Sequence, residues 1–141
     1  MNRLSWRPIL AALVLLSSMS CDGENEPTSV RVPGTLVVSL STPNMDDGAI
    51  LLSIGGGGMG APATTSSSYV LHHRATGLSS MNIVLVGNLV EGPLLRFDVP
   101  DVGQASSYTA TVAEVADRSE NVRVALTDYR LEIAPQGDGS P

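Results

Sequence analysis

From residue 34 onward, short apolar runs alternate with clusters of Gly, Pro, Asn, Asp and Ser about every ten residues. The runs cover residues 35–40, 49–54, 68–74, 82–86, 94–99, 108–115, 122–126 and 129–133. Each is rich in Val, Leu, Ile, Thr or Tyr and ends at turn-forming residues, which is how strands read in a sequence. Within 108–115, Tyr108, Ala110 and Val112 share one side, and within 68–74, Tyr69, Leu71 and His73 do. No stretch carries an apolar stripe of helical period long enough to pack, although 113–121 could take one helical turn. Eight short strands without an amphipathic helix predict an all-β chain, a single antiparallel β-sandwich spanning residues 34–134.

The N-terminus follows another pattern. Arg3 and Arg7 precede an apolar run at residues 9–16, followed by Ser17, Ser18, Met19, Ser20 and Cys21. The eleven residues 9–19 fall short of the ~20 that a helix needs to cross a bilayer. A positive start, a short apolar helix and small residues after it predict a cleaved signal segment at 1–20.

Cys21, the one cysteine in the chain, stands directly after that segment. With Ser18, Met19 and Ser20 before it, this position resembles the lipobox of bacterial lipoproteins. The resemblance implies cleavage between Ser20 and Cys21, a diacylglycerol on the Cys21 thiol and acylation of the new amine. Ser18 departs from the family's preferred Leu, while Ser20 fits its small-residue preference. The Ser18-x-Ser20 spacing also suits ordinary signal peptidase, and the competing product is a soluble exported protein. Export followed by anchoring to the cell membrane or outer membrane through lipid on Cys21 is the expectation. Residues 21–33 are polar and acidic and read as a flexible tether, whose last twelve residues reach ~40 Å when extended. Residues 135–141 read as a disordered tail.

Charge narrows the partners. Eight Arg, no Lys and fourteen Asp+Glu give a net charge of −6. Removal of residues 1–20 takes two arginines and leaves −8. Such an acidic chain lacks the basic footprint that nucleic acid requires. One cysteine excludes an internal disulfide framework and any multi-cysteine zinc site. Loss of Trp6 with the signal leaves one Phe and three Tyr, so the core must be Val, Leu and Ile. Without Trp, a carbohydrate platform has only Tyr69, Tyr108 and Tyr129 to stack on, and carbohydrate is not the expected ligand.

The lead-in Gly92-Pro93-Leu94-Leu95 before Arg96-Phe97-Asp98-Val99 resembles cohesin-like bacterial surface sandwiches. Residues 107–112 and the Ala116-Asp117 that follows add to that likeness. It covers about the hundred residues of the folded part and implies an immunoglobulin-like or cohesin-like sandwich. In that family one sheet face docks a partner module, so the resemblance implies an envelope protein as partner. No contact residue carries over.

Candidate chemistry is sparse. His72 and His73 are adjacent on a predicted strand, so they point to opposite faces and do not chelate one ion. The pair is expected to be one solvent-facing and one half-buried histidine. Asn44, Asp46, Asp47 and Gly48 offer the oxygens of a calcium loop without its length or closing Glu, and read as a hairpin turn. Gly55, Gly56, Gly57, Gly58, Met59 and Gly60 lack the Lys-Ser/Thr of a phosphate loop. They read as a mobile loop that could serve as a binding loop on a rigid scaffold. No metal, cofactor or catalytic residue is assigned. The expected function is a non-catalytic binding or structural sandwich on the cell envelope. The alternative is a metal-dependent or hydrolase-like enzyme using His72 or His73 with nearby Asp, which replacement of both histidines by Ala would silence.

Overall fold

The structure, a computed structural model, describes residues 30–137. Eight strands follow in order: β1 (Gly34–Ser41), β2 (Asp47–Gly55), β3 (Ala63–Thr64), β4 (Val70–Gly77), β5 (Ser80–Leu89), β6 (Gly92–Val99), β7 (Thr109–Asp117) and β8 (Arg130–Pro135). A short 3-10 segment, Val102–Ser107, lies between β6 and β7, with Asp101 accepting from the Gly103 N–H at its start. One sheet has the order β3-β6-β1-β8 and the other β4-β5-β2-β7. Every pairing is antiparallel. The sandwich expected from the sequence is the fold observed.

The pairing is nested. β4 pairs with β5, β3 with β6, β2 with β7 and β1 with β8. A chain laid down this way is one long hairpin ribbon wrapped into two layers, the scheme of a jelly roll. Successive strands β1 and β2 therefore sit in opposite sheets, and each supplies one inward-facing row. Leu36, Val38 and Leu40 face Ile50, Leu52 and Ile54 across the interior, joined by Ile83, Leu85, Leu94, Leu95 and Phe97. Two of the three buried aromatic rings, Phe97 and Tyr108, lie 5.7 Å apart at 55°, a tilted pairing that suits the ring quadrupoles.

Three bulges set which side chains reach this core. Register slips between Val38 and Ser39 opposite Leu95 and Pro93, so Leu94 is an extra residue in β6. One extra residue shifts the two-residue alternation, and neighbours Leu94 and Leu95 are both fully buried. In β7, Ala113 is the extra residue between the partners of Leu51 and Leu52. Val112 and Val115, three apart, consequently both turn inward. In β2, Gly48 is extra against β7, and the phase change there carries Asp47 to full burial.

Two expectations are corrected. Residues 122–126 form no strand; they make a single bridge, Ala116 to Val122, and then turn. Their alternation does not track burial, since Val122 and Val124 stay exposed while Arg123 is drawn to the carboxylates of Asp46 and Asp47. Residues 113–121 contain no helical turn, because β7 continues to Asp117 and a tight turn follows. Between the runs 49–54 and 68–74, Ala63 and Thr64 form a further short strand, β3, pairing with Arg96 and Leu95. The domain also extends slightly past its expected edges. Val32 accepts from the Val102 N–H at 2.8 Å, and the Gln136 N–H reaches the Thr35 carbonyl at 2.8 Å.

Candidate functional site

β2 spans the sandwich from Asp47 to Gly55, and a different cluster forms at each of its ends. At the Gly55 end the glycine run turns across the ring of Tyr108. A Cβ on Gly56, whose φ is +149°, would lie 2.1 Å from Tyr108 Cδ1, so only glycine lets the backbone approach this closely. The Tyr108 hydroxyl donates to the Gly57 carbonyl at 2.7 Å. The Gly56 N–H donates to Ser79 and the Gly60 N–H to Asp98, each at 2.8 Å. The loop read as mobile is thus pinned at three points, and only Gly57 and Gly58 project into solvent. Beside it an open groove of about 360 Å³ is lined by Arg31, Gly57, Asp101, Gln104 and Tyr108. Asp101 is already engaged, accepting from the Val32 and Gly103 N–H groups. Arg31 and Gln104 leave this groove a hydrogen-bonding surface, not an apolar pocket.

At the Asp47 end lies a polar knot. Asp47 is fully buried, the one charged or polar residue in that class among the described residues. Its Oδ2 accepts from the Thr42 hydroxyl at 2.7 Å, and its Oδ1 accepts from the Tyr129 hydroxyl at 2.8 Å and Arg123 Nε at 3.3 Å. Asn44 Nδ2 donates to the Tyr129 hydroxyl at 2.7 Å. Arg123 also pairs with Asp46, and Arg118 donates to the Met45 carbonyl. Burial works against the charge of Arg123, but bonds to Asp46 and Asp47 and their negative charge outweigh it and hold its pKa above the ordinary value. A buried carboxylate is tolerated only when paired and hydrogen-bonded. Here the residues read as a hairpin turn tie β2 to the 118–129 segment. Among the described residues no buried side-chain polar atom is left without a partner.

Next to the knot, the carboxylate of Asp117 closes the turn after β7. Its Oδ1 accepts from the Ser119 N–H at 2.8 Å and the Asn121 N–H at 3.0 Å, with the Asn121 amide adding a further bond. The Asn121 N–H and then its side-chain amide hold the Asp117 carboxyl below its usual range, against some desolvation and helped by Ser119 and the charge of Arg123.

His72 and His73 lie on β4, the edge strand of its sheet, opposite Val84 and Ile83. Both are exposed, where one was expected half-buried. Their side chains fall on opposite faces, as alternation requires. Among the described residues, no three His, Cys, Asp or Glu side chains converge as a metal centre. Ser20 and Cys21, the expected cleavage and lipidation positions, lie outside the described residues, as do the signal segment and residues 138–141.

Sequence reasoning missed the polar knot. The signal was the doublet Asp46-Asp47 in a turn, with arginines at 118 and 123 and a tyrosine at 129, but nothing in spacing reveals that the fold brings them together. Its chemistry is that of a clasp: Thr42, Tyr129 and Arg123 donate to one carboxylate, leaving it neither exposed nor free to act on a ligand. No family model, curated protein or solved structure matches this chain.

Proposed function

We propose that this is an exported protein anchored in the bacterial cell envelope by lipid on Cys21, carrying a β-sandwich that binds a partner or builds structure without catalysis. The observation that carries this reading is the place of Cys21, the one thiol in the chain, directly after the eight-residue apolar run 9–16 and the Ser17-Ser18-Met19-Ser20 stretch. Each buried methylene contributes ~0.8 kcal/mol, so two or three acyl chains hold a protein to a bilayer almost permanently. The remainder of the mature chain offers no electrostatic substitute, because −8 net charge without a lysine is repelled by anionic headgroups.

The sandwich supports the non-catalytic part of the reading. Its one buried carboxylate is consumed by Thr42, Tyr129 and Arg123. The glycine loop, with the polar groove beside it, is the surface best placed to meet a protein partner. Cys21→Ser tests the anchor, since serine lacks the thiolate that forms the thioether. The variant should be exported yet leave the membrane fraction after a salt wash, and should take up no labelled fatty acid. A variant that stays membrane-bound, or a wild type that takes up no label, overturns the anchor and leaves a soluble exported domain.

A further inference from the structure

We propose that two copies of this chain pair antiparallel through β4, joining their β4-β5-β2-β7 sheets into one continuous sheet. Edge strands expose a row of unpaired backbone groups, and proteins that stay single-chain blunt those edges. Three of the four edges here are blunted. β3 is two residues long, and β8 ends at Pro135. β7 is bulged at Ala113 and partly covered, with Val122 bridging Ala116 and the Arg123 N–H donating to Val115. β4 is different. It is eight residues long, contains no proline, keeps regular register from Val70 to Ala75 before one irregularity at Thr76, and pairs on one side only, with β5.

Charge selects a second copy as the occupant. Between Asp47 and Glu91 the sequence has no acidic residue at all, and Arg74 is the one charged side chain in that span. β7 carries Glu114 and Asp117 with no cation, so two copies repel at that edge, while β8 sets Glu132 beside Arg130 and ends at Pro135. The outward face next to β4 is apolar as well: Val70, Val84 and Val86 are 56 %, 37 % and 43 % exposed. A two-fold axis at His72 sets Val70 across from Arg74 of the second copy. The two arginines stay apart, and each aliphatic stem covers a valine.

An eight-residue edge extends about 27 Å, which buries less than the ~1,200 Å² typical of stable complexes. The dimer is therefore weak and concentration-dependent. Hydrogen exchange of the full-length chain, compared at about 10 µM and about 1 mM, reads it directly, the low-area interface placing the transition in that range. The expected result is slowed exchange confined to amides of β4 at the higher concentration. Lysines at both exposed positions, Val70→Lys with His72→Lys, should abolish that protection, whereas Leu78→Lys in the following turn should leave it. Unchanged β4 exchange in the wild type overturns the proposal, including when copies associate through the apolar segment 9–19 or when β4 serves another protein's strand. Protection that survives the double lysine variant overturns it too. If that variant fails to fold, the location of protection in the wild type decides alone.

Discussion

Asp47 shows how one residue can hold two distant parts of this chain together. Four side chains converge around its carboxylate through bonds of 2.7 to 3.3 Å to Thr42, Tyr129 and Arg123, with Asn44 bound to the tyrosine. Asp47→Ala leaves the Thr42 and Tyr129 hydroxyls without their acceptor and Arg123 with Asp46 alone, which should cost about 2–4 kcal/mol, at about 1–3 kcal/mol for each buried donor left unsatisfied. Tyr129→Phe removes one hydroxyl and should cost about 1–2 kcal/mol. Urea unfolding of both single variants and the double variant checks this. The double should be less destabilised than the sum of the singles, and simple additivity would show that the two groups do not interact. Gly56 makes a second test at this scale. Gly56→Ala drives a methyl into the Tyr108 ring and should cost about 2–4 kcal/mol, whereas Gly57→Ala, with no atom within 4 Å of the added carbon, should cost under about 0.5 kcal/mol. Equal melting temperatures for the two variants would contradict the packing of the glycine run on Tyr108.

The strands themselves were legible because alternation and turn residues act locally. Residues 35–40, 49–54, 82–86 and 94–99 each lie inside an observed strand. What was illegible depends on contacts across the chain. Residues 122–126 alternate like a strand, yet Arg123 is held by carboxylates 76 and 77 positions earlier. β3 is two residues in a Ser/Thr-rich loop and exists because Arg96 and Leu95 offer it an edge. The bulges at Gly48, Leu94 and Ala113 change the phase of a pattern that sequence reading assumes to be regular. The turn after β7 carries a prediction in pH. Asp117 has a folded-state pKa lowered by its bonds to Asn121 and Ser119. The unfolded chain therefore takes up its proton first, and the stabilising contribution is complete above about pH 4–5 and lost as pH falls through the lowered value. Asp117→Ala should lower the melting temperature at pH 7 and make progressively less difference toward pH 2. A gap that is constant with pH would show that the charge of Asp117 contributes nothing.

Across the whole molecule, charge and apolar surface are distributed unevenly. Acids crowd the residues before 48 and after 90, and the intervening strands carry one arginine, two histidines and exposed valines. The aromatic-poor core predicted from composition is the core observed, with Phe97, Tyr108 and Tyr129 as its buried rings. The candidate binding loop was legible as a loop, but its pinning by Tyr108 was not, because that contact joins residues 51 positions apart. The proposed anchor is the reverse case: it rests on the sequence alone, since an export signal is a linear segment that acts before any fold exists.

The most direct test of the account is the mass of the mature N-terminus. The full 141-residue chain is expressed in a bacterium and extracted from the membrane in detergent. Its N-terminal proteolytic fragment should begin at Cys21 and carry the added mass of a diacylglycerol, with or without an N-acyl chain. A fragment that begins at Cys21 or elsewhere with no lipid mass, or that retains residues 1–20, would contradict the lipid anchor on which the proposed function rests.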